Sequence, residues 1–182
     1  MKPHPCVLGK RTALRPIEKG DLAFLHRLRN DFPLQKMLMS QPRSNARERV
    51  KAWVDRLSCD SSAALFLIVA AGTGQPLGYA QLKQIDLLHG TADLGICLAS
   101  EAQGKGHASD AMRLLEDYGA DVFRLRKILL HVLGENTRAV GLYRKNGYRE
   151  VGVLRQHFYQ QRQYKDVVLM EKFLEVDIRR SS

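Results

Sequence analysis

The apolar residues change period several times along the chain, and each change marks a predicted element. Val7 to Ile17 reads as a first strand, stopped by the Arg15-Pro16 pair. Leu22, Leu25 and Leu28 recur every three residues and predict a helix from Leu22 to Asn30, with Asp21 as N-cap and Pro33 as its end. A second helix, about Ser44 to Leu57, has Val50, Trp53, Val54 and Leu57 on its apolar face, with Asn45 and Glu48 at capping-box spacing. Ala64 to Ala71 is a continuous apolar run, the pattern of a strand covered on both faces. After the turn Gly72-Thr73-Gly74-Gln75-Pro76, strands Leu77 to Asp86 and Thr91 to Ala99 form a hairpin about His89-Gly90.

The period then becomes helical from Lys105 to Phe123, with Ala108, Ala111, Met112, Leu115, Gly119 and Val122 on one face. Lys127 to Leu133 is a strand, and Thr137 to Lys145 a short helix closed by Asn146-Gly147 as a left-handed cap. Arg149 to Tyr159 and Tyr164 to Leu174 are two last strands around Gln160-Gln161-Arg162-Gln163. The order is strand, two helices, three strands, helix, strand, helix, two strands. It predicts a mixed α/β architecture, and the absence of repeats or linkers makes residues 1–182 one domain, with a polar tail at 175–182.

Composition adds limits. The longest apolar run is too short to cross a bilayer, and Met1-Lys2-Pro3-His4-Pro5 lacks the apolar core of a signal peptide, so a cytoplasmic location with no membrane partner is expected. Cys6, Cys59 and Cys97 form no Cys-x-x-Cys pair, so no metal site is predicted, and Cys97 reads as a small buried hydrophobe. The net charge of +10, from 29 basic and 19 acidic residues, favours anionic partners. Nucleic acid and a phosphate-bearing nucleotide cofactor both qualify, but the basic residues are scattered and form no binding motif.

The chemistry concentrates at Gln103-Gly104-Lys105-Gly106-His107-Ala108, between a strand and the long helix. A helix N-terminus offers unpaired N–H groups and the positive end of a dipole, and glycines let the backbone approach an anion closely. Lys105 and His107 add side-chain donors. A plain strand-to-helix turn would also accommodate two glycines. The spacing is neither that of a Walker loop nor that of a Rossmann fingerprint.

These six residues match the pattern Gln/Arg-x-x-Gly-x-Gly/Ala of the GNAT superfamily, with Gln103, Gly106 and Ala108 at the specified positions. The resemblance extends over nearly the whole chain: Leu14-Arg15-Pro16 with Asp21-Leu22, Leu77-Gly78, Asn136-x-x-Ala139-x-x-Leu142-Tyr143-x-x-x-Gly147-Tyr148, then Gly152-x-Leu154, Phe158-Tyr159, Tyr164-Lys165-Asp166 and Met170. It is similar to the group holding ribosomal-protein N-terminal acetyltransferases, spermidine N-acetyltransferases and enzymes that acetylate nucleotide-linked amino sugars. The resemblance implies a mostly antiparallel mixed sheet of about seven strands, splayed between the fourth and fifth and flanked by about four helices. It also implies acetyl-CoA as cosubstrate, its pyrophosphate held at residues 103–108, and a homodimer through the C-terminal strands.

Transfer of an acetyl group to an amine needs a held thioester, donors facing its carbonyl oxygen, an acceptor for the amine's proton and a donor for the departing sulfur. The resemblance gives Tyr143 the last role, where the periodicity alone would allow a core tyrosine. It gives Asn136 a hydrogen-bonding role to the pantetheine arm and sets Ala139 among the cofactor-binding residues, although Asn136 also suits a helix N-cap. It gives Leu98 the amide facing the thioester carbonyl. His131 stands where N-terminal acetyltransferases often carry a glutamate base, and Asp93 where spermidine enzymes carry an acid. Glu135 and a water chain are further candidates for the base.

The acceptor stays open among a protein N-terminus, a nucleotide-linked amino sugar and a polyamine. Lys36, Arg43, Arg47, Arg49 and Lys51 against Glu48 suit an anionic acceptor, or else form a solvated helix face. The alternative outside catalysis is a basic nucleic-acid-binding or CoA-sensing module.

Overall fold

The computed structural model describes residues 7–174; Cys6, the start at 1–5 and the tail at 175–182 lie outside the described residues. The strands are β1 (Val7–Leu8), β2 (Thr12–Arg15), β3 (Ala64–Ala70), β4 (Pro76–Asp86), β5 (Thr91–Leu98), β6 (Lys127–Leu133), β7 (Arg149–Gln160) and β8 (Gln163–Phe173). The helices are α1 (Leu22–Leu28), α2 (Phe32–Lys36), α3 (Arg47–Ser58), α4 (His107–Phe123) and α5 (Thr137–Lys145). All strands join one 8-stranded sheet in the order β1-β2-β3-β4-β5-β6-β8-β7, and only β5 and β6 pair in parallel.

The run in β3 is apolar throughout because both sheet faces are covered. Phe66 and Ile68 point into a cluster with Ala111, Met112, Leu114 and Leu115 of α4. Leu67 and Val69 point the other way, onto Leu25 and Leu28 of α1 and Val50 and Val54 of α3. No helix among the described residues is long and apolar enough to cross a membrane.

The mixed α/β class and the family-like sheet agree with the expectation, with local corrections. The predicted first strand is split by a turn at Gly9, Lys10 and Arg11. Asp110 of α4 causes the split: its Oδ2 accepts Arg11 N, Thr12 N and Thr12 Oγ1 at 3.0, 2.9 and 2.9 Å, turning these donors toward α4. That division makes eight strands of the predicted seven. Pro33 does not end α1 but sits in the first turn of α2, where its missing N–H is no loss, and Asp31 caps that helix through Leu34 N at 3.0 Å. α2 is the fifth helix, too short to show a period.

Two predicted caps are replaced. Asp21 makes no side-chain bond to α1; it forms a two-pronged pair with Arg15 instead, both bonds 2.7 Å long. The N-cap of α3 is Ala46, and Asn45 is buried in a hydrogen-bond network instead of capping. α4 begins at His107, two residues later than predicted, because Gly106 adopts a left-handed conformation. On that helix Val122 is 54% exposed, while Leu114, outside the predicted face, is buried in the core.

Candidate active site

β5 pairs with β6 over only three rows, Thr91↔Lys127, Ala92↔Ile128 and Asp93↔Leu129. Past Asp93 the two strands diverge. Against β4, Ala99 N donates to Leu77 O at 2.9 Å, the diagonal bond of a pair, Gly78↔Leu98, that is not itself hydrogen-bonded. The N–H and C=O of Leu98 therefore face away from β4, into the splay. The register is regular from Gly78 to Lys83, so Ile96 and Leu94 present their amides the same way. Leu98 was the expected donor; strand alternation adds Ile96, which was legible only once the register was known.

Gln103 closes the end of the splay. Its Nε2 donates to Leu98 O at 3.0 Å, and its Oε1 accepts Arg138 Nη1 at 3.0 Å, so it ties β5 to the first turn of α5. Gly104 and Gly106 have φ of 77° and 81°, left-handed values that other residues adopt only with strain. Gly106 is the N-cap of α4 and makes no side-chain cap, leaving the first-turn amides from His107 and Ala108 open to an anion. His107 Nδ1 is 3.0 Å from Ala102 O, which fixes its ring against the loop. Lys105 is held through its backbone, whose carbonyl accepts Arg11 Nη1 at 3.2 Å. Arg138 went unnoticed in the sequence, although a basic residue in the turn after Asn136 faces the same anion site.

Tyr143 of α5 is 8% exposed, and its ring meets Tyr148 edge-on at 5.9 Å. Burial, with Cys97 adding, pushes its hydroxyl up to about 12, so it stays protonated at neutral pH. Cys97 is 3% exposed and burial raises its thiol to about 12, in keeping with a packed hydrophobe. Asn136 caps α5 through Ala139 N at 3.1 Å, and its Nδ2 donates to Met37 O at 3.1 Å. Its side chain is thus engaged at both ends in this state.

Asp93 and His131 come together as β5 and β6 part: Oδ2 to Nδ1 is 3.8 Å. Burial raises the Asp93 carboxyl above its ordinary value, opposed by His131 and Lys83. Glu135 is different, since it is ion-paired with Lys165 of β8. A cleft of about 1120 Å³ runs from Gly106 and Arg138 past Tyr143 to Asp93, Trp53 and Arg29, and Lys105 and His107 do not line it. Of the basic residues expected near the acceptor, Lys36, Arg43, Arg47, Arg49 and Lys51 do not line it; Arg29, Arg56 and Lys83 do.

The sequence profile of the acetyltransferase (GNAT) domain matches residues 11–149. The chain belongs to the GNAT acetyltransferase family. It is 31% identical over 171 residues to the spermidine N(1)-acetyltransferase of Vibrio cholerae serotype O1, covering 92% of this chain and 98% of that protein. It is 32% identical over 157 residues to the spermidine N(1)-acetyltransferase of Escherichia coli K12, covering 86% and 83%. The crystal structure of the V. cholerae spermidine N-acetyltransferase in complex with CoA and spermine superimposes with a TM-score of 0.83 at 31% identity, covering 90% of this chain and 95% of that one. This GNAT protein is an acyl-CoA-dependent N-acetyltransferase with acetyl-CoA as cosubstrate and an amine as acceptor. The nucleic-acid-binding alternative gains no support from these relationships.

Proposed function

We propose that this GNAT enzyme transfers acetyl directly from acetyl-CoA to a primary amine within one ternary complex. The pyrophosphate lies on the amides at the start of α4, with Lys105, His107 and Arg138 around it. The pantetheine arm fills the splay, beside Asn136 and Ala139, and takes the place of the missing β6 partner. The amide of Leu98 or Ile96 faces the thioester oxygen as it gains charge.

The amine nitrogen attacks the carbonyl carbon, a C–N bond forms and the C–S bond breaks. Tyr143 gives its proton to the departing sulfur, and the amine's proton leaves through Asp93, with His131 beside it, by way of water. The products are the N-acetylated amine and CoA. The observation that carries this reading is the divergence of β5 from β6 past Asp93, beside a buried, protonated tyrosine and a helix N-terminus built on left-handed glycines.

The acceptor enters from the α1–α3 side. The relatives named above are spermidine enzymes, which keeps a polyamine beside a protein N-terminus and an amino sugar as acceptors. A homodimer through β7 belongs to the same reading, because β7 is a sheet edge with Val151, Val153 and Leu154 exposed.

Calorimetric titration of acetyl-CoA into the wild-type protein and a Gly106→Asp variant tests the cofactor half. One-site binding, lost in the variant, is the expected result. Failure of the wild-type protein to bind would sink it.

A further inference from the structure

The acceptor half of the cleft is floored by neighbouring rows of β4 and β5, Tyr79↔Cys97, Gln81↔Gly95 and Lys83↔Asp93. Its walls are the end of α1, the α2 region and α3. Three cations reach it from separate elements: Arg29 at the C-cap of α1, Arg56 of α3 and Lys83 of β4. None forms an ion pair among the described residues. The carboxylates lining the cleft are Asp93 and Glu135, and Glu135 is neutralised by Lys165. Asp31, close by in sequence, is committed to capping α2.

Arg29 is held in place. Its guanidinium lies 4.4 Å over the ring of Trp53, which meets Tyr79 edge-on at 5.1 Å. Its carbonyl accepts Asn45 Nδ2 at 2.7 Å and the Gln35 carboxamide, and both of these polar side chains are 6% exposed. Asn45 is locked in turn by Asn30, whose Oδ1 accepts Asn45 N at 2.8 Å. Two buried amides and a tryptophan thus fix one arginine, the preorganisation that lowers the entropic loss of binding a charged group. Two residues along β4 from Tyr79, Oε1 of Gln81 is buried without a hydrogen-bond partner, and Gly95 leaves space for that side chain, since a Cβ there would lie 2.8 Å from Gln81 Nε2. An unpartnered buried acceptor is unfavourable unless a ligand donor completes it.

We propose that the acceptor of this enzyme is an amine that also carries an anionic group, a phosphate or a carboxylate, held by Arg29 with Arg56 and Lys83, while Gln81 Oε1 takes a donor from the same molecule. The proposal rests on the acetyl-transfer reading above and gives its substrate class. A polyamine would bring several ammonium groups against three cations, with Asp93, already beside His131, the one lining carboxylate not taken by a lysine. An anionic amine places its nitrogen toward Asp93 and its negative group toward the cations.

The test is CoA release from acetyl-CoA with acceptors matched in pairs: glucosamine 6-phosphate against glucosamine, 2-aminoethyl phosphate against ethanolamine, and β-alanine against propylamine, with spermidine as a separate arm. The phosphate and carboxylate pairs separate the two forms of the anion. The expected result is a kcat/KM at least about tenfold higher for an anionic member than for its neutral twin. Arg29→Gln should shrink that ratio by about tenfold through KM, and Lys83→Gln, at an exposed position, gives a second reading if the Arg29 variant folds poorly. Spermidine turned over ahead of every anionic amine, or a ratio unchanged in both variants, overturns the proposal. Acetyl-CoA binding with no anionic amine turned over also overturns it and leaves the cofactor half standing; absence of acetyl-CoA binding defeats the broader reading instead.

Discussion

Asp93 of β5 and His131 of β6 face each other at 3.8 Å where the parallel ladder between their strands gives out. The same divergence that opens the splay therefore sets a carboxylate and an imidazole at its mouth. Burial raises the Asp93 pKa, which brings the carboxylate closer in basicity to an amine's proton than an exposed aspartate would be.

The sign of the pH dependence follows. Only the carboxylate form accepts a proton, so acetylation should fall as pH drops through the raised Asp93 value, at a higher pH than an ordinary aspartate would give. His131 opposes the rise, so His131→Gln should move this acid limb to still higher pH. Asp93→Asn should remove it. A kcat/KM profile against pH checks both, and an acid limb unmoved in Asp93→Asn would eliminate Asp93 as the proton acceptor.

Tyr143→Phe keeps the ring that packs on Tyr148 and removes the proton. It should lower kcat by about 10²- to 10⁴-fold while leaving the acetyl-CoA dissociation constant within about twofold. Single-turnover rates and calorimetry together make the comparison. An undiminished kcat would assign Tyr143 to packing.

Gly106→Ala places a side chain at a φ of 81°, which should destabilise the loop by about 1–2 kcal/mol and weaken acetyl-CoA binding by about tenfold. Gly141 is a contrast. It is helical, a Cβ there would meet nothing within 4 Å, and Gly141→Ala should stabilise the fold by about 0.5–1 kcal/mol. Urea unfolding of the two variants should move in opposite directions.

Arg15 and Asp21 form their two-pronged pair with side chains 10% and 9% exposed. Asp21→Ala strands a buried guanidinium and also frees Glu18 N, which bonds Asp21 Oδ2 at 2.9 Å. The expected loss is about 3–5 kcal/mol in chemical denaturation. Arg15→Lys retains the charge but loses the second prong, and should lose less.

Elements long enough to show their period were legible in the sequence. β6 and α5 match their predicted bounds, and α4 differs only where Gly106 turns left-handed. Short pieces were not. Val7–Leu8 is cut off by a contact from elsewhere in the chain, the pull of Asp110 on the turn at Arg11, and Phe32–Lys36 is a single short turn capped locally by Asp31. Asn45 and Asp21 are residues with good cap chemistry that tertiary partners claimed first, Asn30 and Arg15 respectively. The same competition places Asn136 between α5 and Met37.

By itself the sequence determined the mixed α/β class and the glycine-shaped loop before α4, because period and conformational freedom are local properties, while Tyr143, Asp93 and His131 entered as candidates through the resemblance to the GNAT superfamily. The tertiary structure alone decided which amides of β5 face the splay, that Asp93 and His131 meet while Glu135 is taken by Lys165, and that Arg29, Arg56 and Lys83 line the cleft instead of the basic residues between Lys36 and Lys51. Those facts depend on strand register and on which helix face meets the sheet, and both are set by packing between segments distant in the chain.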